Sequence, residues 1–374
     1  MRDQRLDQLA VVLVGYSTAV RRGDVCRIQT EPPGLPLAEA IYEQVVRAGG
    51  HAFVTLSSDA MADALYRHGS DEQLAYVSPV NAFFADAIDV YFGLWSEENT
   101  KSLSNVPPAR QALTQQGRKP YLKRFLERAA EGKLRWVGTQ YPTIANAQDA
   151  EMSLREYEDF VFGAGLLHLA DPVAGWRKMS EAQQRLADHL NTVREVRVVG
   201  EGTDLRLGVA GRRWVNCDGH ENFPDGEVFT GPVEDAVDGT IRYSFPAVHL
   251  GREVQGITLT FRAGKVVDAH AAKGEDFLHA MLDQDSGART LGEFAIGTNF
   301  GVQQYTRNTL FDEKIGGTCH AAVGAAYPET GGRNESGLHW DMVCELRAPG
   351  RRIEADGQAI LENGRFTRPE WPQP

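Results

Sequence analysis

Long apolar runs are missing from this 374-residue chain. The longest stretches, such as Leu9 to Val14, fall far short of the ~20 residues that a membrane-spanning helix needs, so a soluble protein without a membrane partner is expected. Paired cysteine spacing is missing as well. The four cysteines, at 26, 217, 319 and 344, form no Cys-x-x-Cys, which argues against a zinc knuckle or a disulfide scaffold and leaves free thiols in a reducing cytoplasm as the expectation. Basic clusters are absent too: 39 Lys and Arg stand against 51 Asp and Glu, a net charge of −12. That balance excludes sustained contact with nucleic-acid phosphates or an anionic membrane surface. No positively charged stretch leads into an apolar run at the N-terminus, so no signal peptide is expected.

What is present is ordinary folded-enzyme composition, 42% hydrophobic and 24% charged, in a chain long enough for two domains of ~100–200 residues each. Val25 to Gln29 reads as a strand. Leu37, Ala40, Ile41, Val45 and Ala48 follow at helical spacing, Gly49-Gly50 stops the helix, and Ala52 to Leu56 reads as the next strand, a βαβ unit. Further strand-like runs at Ala87 to Leu94 and Arg135 to Gly138 alternate with helical segments, Tyr121 to Ala130 the clearest, which predicts an α/β domain with an open, mainly parallel sheet. Helical pattern continues from about Ser153 to Leu190, with a break at Asp171-Pro172. After that come short strands: Val196 to Val199, Asp204 to Val209, Ile241 to Phe245 and the alternating run through Ile257, Leu259 and Phe261, with hairpin turns at Ala263-Gly264-Lys265 and Asp356-Gly357. The expected organisation is therefore an N-terminal α/β domain over 1–190 and a mixed, strand-rich α+β domain over 191–374.

The second half holds the residues that suggest chemistry. In Gly337-Leu338-His339-Trp340-Asp341 an imidazole and a carboxylate are two residues apart, so on a strand both leave the same face, a half-site for a divalent metal. Alone, a His-x-Asp is more often a surface couple. His320 follows Gly316-Gly317-Thr318-Cys319 and precedes a small apolar run, which reads as a tight, partly buried turn; a hydrogen-bonded core histidine is its plain alternative. Glu227 reads as part of a turn leading into a strand, and Glu293 is a lone charge among apolar and small residues. Acidic groups are costly to bury unless paired or metal-bound, but taken singly each of these reads more readily as a solvated turn residue.

In order, Asn222-Phe223-Pro224-Asp225-Gly226-Glu227-Val228-Phe229-Thr230, Leu291-Gly292-Glu293-Phe294-Ala295-Ile296-Gly297-Thr298-Asn299, Thr309 to His320 and His339-Trp340-Asp341-Met342 closely resemble the M29 (aminopeptidase T) metalloaminopeptidases. The resemblance is specific from about Thr203 to Phe366. It is weaker in the first half, at Trp136, Pro142-Thr143, Gln148, Ala150 to Ser153 and Tyr157, where the N-terminal domain reads as shorter than in typical members. It implies a dinuclear aminopeptidase that removes N-terminal residues from short peptides or amino-acyl amides. Glu227, Glu293, His320, His339 and Asp341 would bind two divalent ions (zinc, cobalt, manganese or magnesium), and Tyr327 would be the active-site tyrosine. It further implies a homodimer. The general base stays open: a carboxylate of Asp312-Glu313-Lys314 orienting a ligand from outside, a bridging carboxylate, or neither, since such a run is as readily a solvated surface.

Two other readings compete. His320, His339 and Asp341 alone would make a two-His-one-carboxylate site for a single ferrous ion, as in the 2,5-dihydroxypyridine dioxygenases, which resemble the same family in fold. Glu227 and Glu293, kept within their full motifs, weigh against it. A catalytically idle scaffold is the third reading, and the presence of all five ligand positions and Tyr327 opposes it.

Overall fold

The computed structural model describes residues 3–374. The chain divides into two compact units, one of Met1–Val173 with Gly219–Pro224 and one of Ala174–Asp218 with Asp225–Pro374.

In the first unit the strands Val25–Thr30, His51–Leu56, Val90–Trp95, Arg135–Gln140 and Asn222–Phe223 make one sheet, parallel throughout, with His51–Leu56 at one edge and Asn222–Phe223 at the other. The predicted βαβ unit is there. Helix Leu35–Arg47 buries Leu37, Ala38, Ala40, Ile41 and Val45 along one face and ends before Gly49, whose φ of +83° suits glycine. Ala87 closes a helix instead of opening a strand: Pro79–Ala87 starts at a Ser78 cap, and the strand begins at Val90. The helix expected over Tyr121 to Ala130 is longer, Pro108–Ala130, with Pro120 inside it.

The helical stretch before residue 190 is two helices, Leu154–Ala164 and Pro172–Leu190. The first opens with a reciprocal cap: Ser153 Oγ accepts from Glu156 N and Ser153 N donates to Glu156 Oε2 at 2.8 Å. The second belongs with the second unit, because Leu186, Ala187 and Leu190 enter that unit's core; by compactness the division falls at Val173, ahead of residue 190.

The second unit is strand-rich and antiparallel, as expected. Eight strands form one sheet, in the order Lys265–His270, Thr258–Arg262, Val237–Arg242, Thr203–Gly208, Glu195–Gly200, Arg352–Ala355, Gln358–Glu362 and Arg365–Phe366, and both predicted hairpin turns are in it. The strand expected over Ile241 to Phe245 lies earlier, at Val237–Arg242. A second sheet has the order His339–Glu345, Thr318–Gly324, Leu291–Gly297, Glu227–Thr230, Val215–Cys217. Val228, Phe294, Ile296, Ala321, Val323, Trp340 and Met342 send alternate side chains from this sheet into the same core as Val196, Val198, Leu205 and Leu207 of the larger one. The residues between them therefore occupy the opposite face.

Candidate metal centre

Register brings the expected ligands together. Ala322 on the strand Thr318–Gly324 pairs with Glu293 on one side and Asp341 on the other, His320 pairs with Ala295, Gly324 with His339, and Gly297 with Glu227. Directly paired residues share a face, and residues two apart along a strand do so too. Glu227, Glu293, His320, His339 and Asp341 thus all project from one face of the five-stranded sheet. The positions between them are Ala295, Ala322, Gly297 and Gly324, whose small size leaves the space above the sheet to the ligand groups.

The side chains form two adjoining sets. In the first, His339 Nε2 lies 3.2 Å from Glu293 Oε2 and 3.4 Å from Asp341 Oδ1. His339 Nδ1 is 2.9 Å from the carbonyl oxygen of Ala325, to which it donates, and this turns Nε2 toward the carboxylates. In the second, His320 Nδ1 faces Glu227 Oε2 at 3.7 Å. The same ring's Nε2 is 3.4 Å from Glu293 Oε1 and 3.8 Å from Asp341 Oδ1, so His320 stands between the sets. Ligand atoms of Glu293, His339 and Asp341 lie within 4.8 Å of one another, as do those of Glu227, Glu313 and His320.

The donor atoms fit divalent ions. Glu227 Oε2, His320 Nδ1 and Asp341 Oδ1 are buried and make no hydrogen bond among the described residues. Buried polar atoms without partners are rare and costly, and here three of them point into one cluster of carboxylates and imidazoles, the chemistry that holds borderline divalent metals. Without metal the negative charge is met by protons. Burial is the strongest influence on both rings and disfavours their cations, yet the surrounding carboxylates outweigh it. Glu293 and Glu227 push His320 up to about 10, and Asp341 and Glu293 push His339 up to about 12. Asp341 moves the other way: burial raises it, but His339 and His320 together hold it well below the usual carboxylate range.

Some expectations need correction. His320 is in the middle of a fully buried strand, not in a turn. The run Asp312-Glu313-Lys314 is no solvated surface: Asp312 and Lys314 are 4% and 1% exposed. Lys314 Nζ donates to Glu227 Oε1 at 2.6 Å and Glu313 Oε2 at 2.9 Å, and Asp225 Oδ1 lies at 3.7 Å. Burial alone would discharge this amine, but Glu227, Glu313 and Asp225 raise its pKa well above the ordinary value and keep it an ammonium. Asn299 anchors this segment, its N–H donating to Lys314 O and its Nδ2 to Asp225 O. Sequence reasoning missed Lys314, Asp225 and Cys217 and left Glu313 undecided; charges packed between apolar residues and glycines were the available signal. Tyr327 is 41% exposed and sets its ring edge-on against Phe229 and His339, at 5.4 and 5.1 Å.

The family model described as thermophilic metalloprotease (M29) matches residues 2–366. The chain belongs to the M29 metalloproteases. Among M29-related proteins, aminopeptidase 2 of Geobacillus stearothermophilus is 27% identical, over 97% of this chain and 98% of its own length. Aminopeptidase T of Thermus thermophilus is 30% identical over 72% of this chain and 75% of its own length. The solved structure of wild-type AmpT from Thermus thermophilus superposes with a TM-score of 0.85 at 25% identity, covering 98% of this chain and 99% of AmpT. The 2,5-dihydroxypyridine dioxygenase of Pseudomonas putida KT2440 also superposes, with a TM-score of 0.61 at 14% identity over 99% of both chains, a likeness of fold alone.

Proposed function

We propose that this M29 protein is a metal-dependent aminopeptidase that uses two divalent ions to release N-terminal residues from short peptides or amino-acyl amides. The observation that carries the reading is the set of buried, unpartnered ligand atoms on Glu227, His320 and Asp341, divided between two neighbouring sets on one sheet face. A single ferrous ion on His320, His339 and Asp341 would leave Glu227 Oε2 buried without a partner, which weighs against the oxygenase reading.

Glu293, His339 and Asp341 would hold one ion, and Glu227 and His320, with Glu313 beside them, the other. Bound there, two such ions supply a nucleophile from water at neutral pH and polarise the scissile carbonyl. The chain's own groups do the rest. His339 keeps its Nε2 aimed by donating Nδ1–H to Ala325 O. Tyr327 has its ring braced by Phe229 and His339, and its hydroxyl is assigned to donate to the oxyanion that develops as water attacks. Although part of the residue is exposed, desolvation around the hydroxyl and the carboxylates of Glu293 and Asp341 push that phenol up, so it stays protonated as a donor requires. The reading extends to a homodimer, supported by the motif resemblance, working in the cytoplasm, supported by the four cysteines without paired spacing.

The test is metal analysis of the purified protein with release of free amino acid from a dipeptide panel, before and after chelation and re-addition of zinc, cobalt or manganese. About two ions per chain with metal-restored release is the expected result. One iron per chain without peptide cleavage would overturn it.

A further inference from the structure

Glu227 takes part in two candidate cation clusters. One is the set with Glu313 and His320. The other brings Glu227 together with Cys217 and Asp225, their ligand atoms also within 4.8 Å of one another. A cation already stands at this second cluster: Lys314 Nζ is 2.6 Å from Glu227 Oε1 and 3.7 Å from Asp225 Oδ1. The same ammonium reaches Glu313 Oε2 at 2.9 Å. Both carboxylates grouped with His320 in that set, Glu227 and Glu313, therefore share their charge with a fixed ammonium. Asp225 offsets part of that charge, but it belongs to the cluster with Cys217 and is not among the groups facing His320. The set of Glu293, His339 and Asp341 is different: Asp341 also hydrogen-bonds Glu313, but among the described residues the carboxylates of this set form ion pairs only with His320 and His339 and with no lysine or arginine.

We propose that Lys314 is a built-in cation that makes the two metal positions unequal. The ion held by Glu293, His339 and Asp341 binds tightly, and the ion beside Glu227, Glu313 and His320 binds weakly and exchanges. The inference rests on the dinuclear reading. Its cause is electrostatic: a divalent ion at the second position meets carboxylates already hydrogen-bonded to an ammonium and is repelled by that ammonium at short range, in a buried setting where water screens little. The ammonium also fills the cluster formed with Cys217 and Asp225, which keeps a third ion out.

The experiment is a titration of chelator-treated, full-length protein with zinc or cobalt, read by calorimetry or chelator competition rather than by activity. Two steps separated by at least about tenfold in affinity are expected, because a unit charge a few ångströms away is worth that much or more at a partly buried site. Asp341→Asn should abolish the tight step and Glu227→Gln the weak one. Lys314→Met should narrow the gap by tightening the weak step, and Lys314→Arg should preserve it. Two equal steps in the unaltered protein would overturn this inference alone, as would loss of the tight step in Glu227→Gln or an unchanged gap in Lys314→Met. Should Lys314→Met fail to fold, the steps removed by the other two variants still decide. A protein that takes up a single ion at every concentration overturns the dinuclear reading, and this inference with it.

Discussion

His339 donates its Nδ1–H to the carbonyl oxygen of Ala325 at 2.9 Å, and this one bond determines that Nε2 is the nitrogen facing Glu293 and Asp341. In the metal-free protein that Nε2 carries a proton, since the ring's pKa is pushed up to about 12, and His320 is pushed up to about 10.

Metal uptake should therefore release protons. A metal ligand must be a neutral nitrogen, so at roughly pH 7 each ring gives up a proton as the ion arrives, and affinity weakens as pH falls. Titration in two buffers of different ionisation enthalpy measures the release. Identical apparent heats in both would contradict it.

Ala322 sits on the site face between its strand partners Glu293 and Asp341 and is fully buried. Ala322→Leu should push a side chain into the space the ligands enclose, lowering metal retention by about tenfold or more at a stability cost of ~1–3 kcal/mol. Metal content after dialysis, set beside a melting curve, separates the two effects. Full retention would show that the space lies elsewhere.

Tyr327→Phe removes one hydroxyl and leaves the ring contacts with Phe229 and His339 in place. We expect kcat to fall by about 10²–10³ with KM and metal content little changed, the pattern of a group that acts in the transition state. A rise in KM at constant kcat would instead assign the hydroxyl to substrate binding.

Phe294 is the neighbour of Glu293 on the same strand but faces the core, fully buried and edge-on to Trp214 at 6.3 Å. Phe294→Ala should cost about 3–5 kcal/mol through the cavity it leaves. Denaturant unfolding of the metal-free protein should show the loss, while metal stoichiometry below the transition remains that of the parent.

Much of this architecture was legible in the residues. Helical spacing from Leu37 to Val45 with its glycine stop, and the alternation through Leu259 and Phe261, are local patterns that survive folding because they match the faces buried. The five proposed ligand positions and the proposed role of Tyr327 came from ordered motifs. His320 was misread as a turn because glycines before it and small residues after it look like loop in a linear chain; the glycines lie just before the strand, where neighbouring groups come close, and the strand itself starts at Thr318. Gly316 meets Phe300 and Gly317 meets the backbone of Gly364. The run around Lys314 was left open because such a run is as readily solvated, and what decides it lies in partners 87 and 89 residues away, Glu227 and Asp225.

By itself, then, the sequence determined which side chains are available to ligate and which faces of helices and strands are apolar, since both depend on residue type and near-neighbour spacing. Tertiary structure alone decided that Glu227, Glu293, His320, His339 and Asp341 share one sheet face, that Ala322 leaves them room, and that a lysine ammonium stands among the carboxylates on only one side. Those facts follow from strand register between distant segments and from the cost of burying charge without a partner, neither of which acts until the chain has folded.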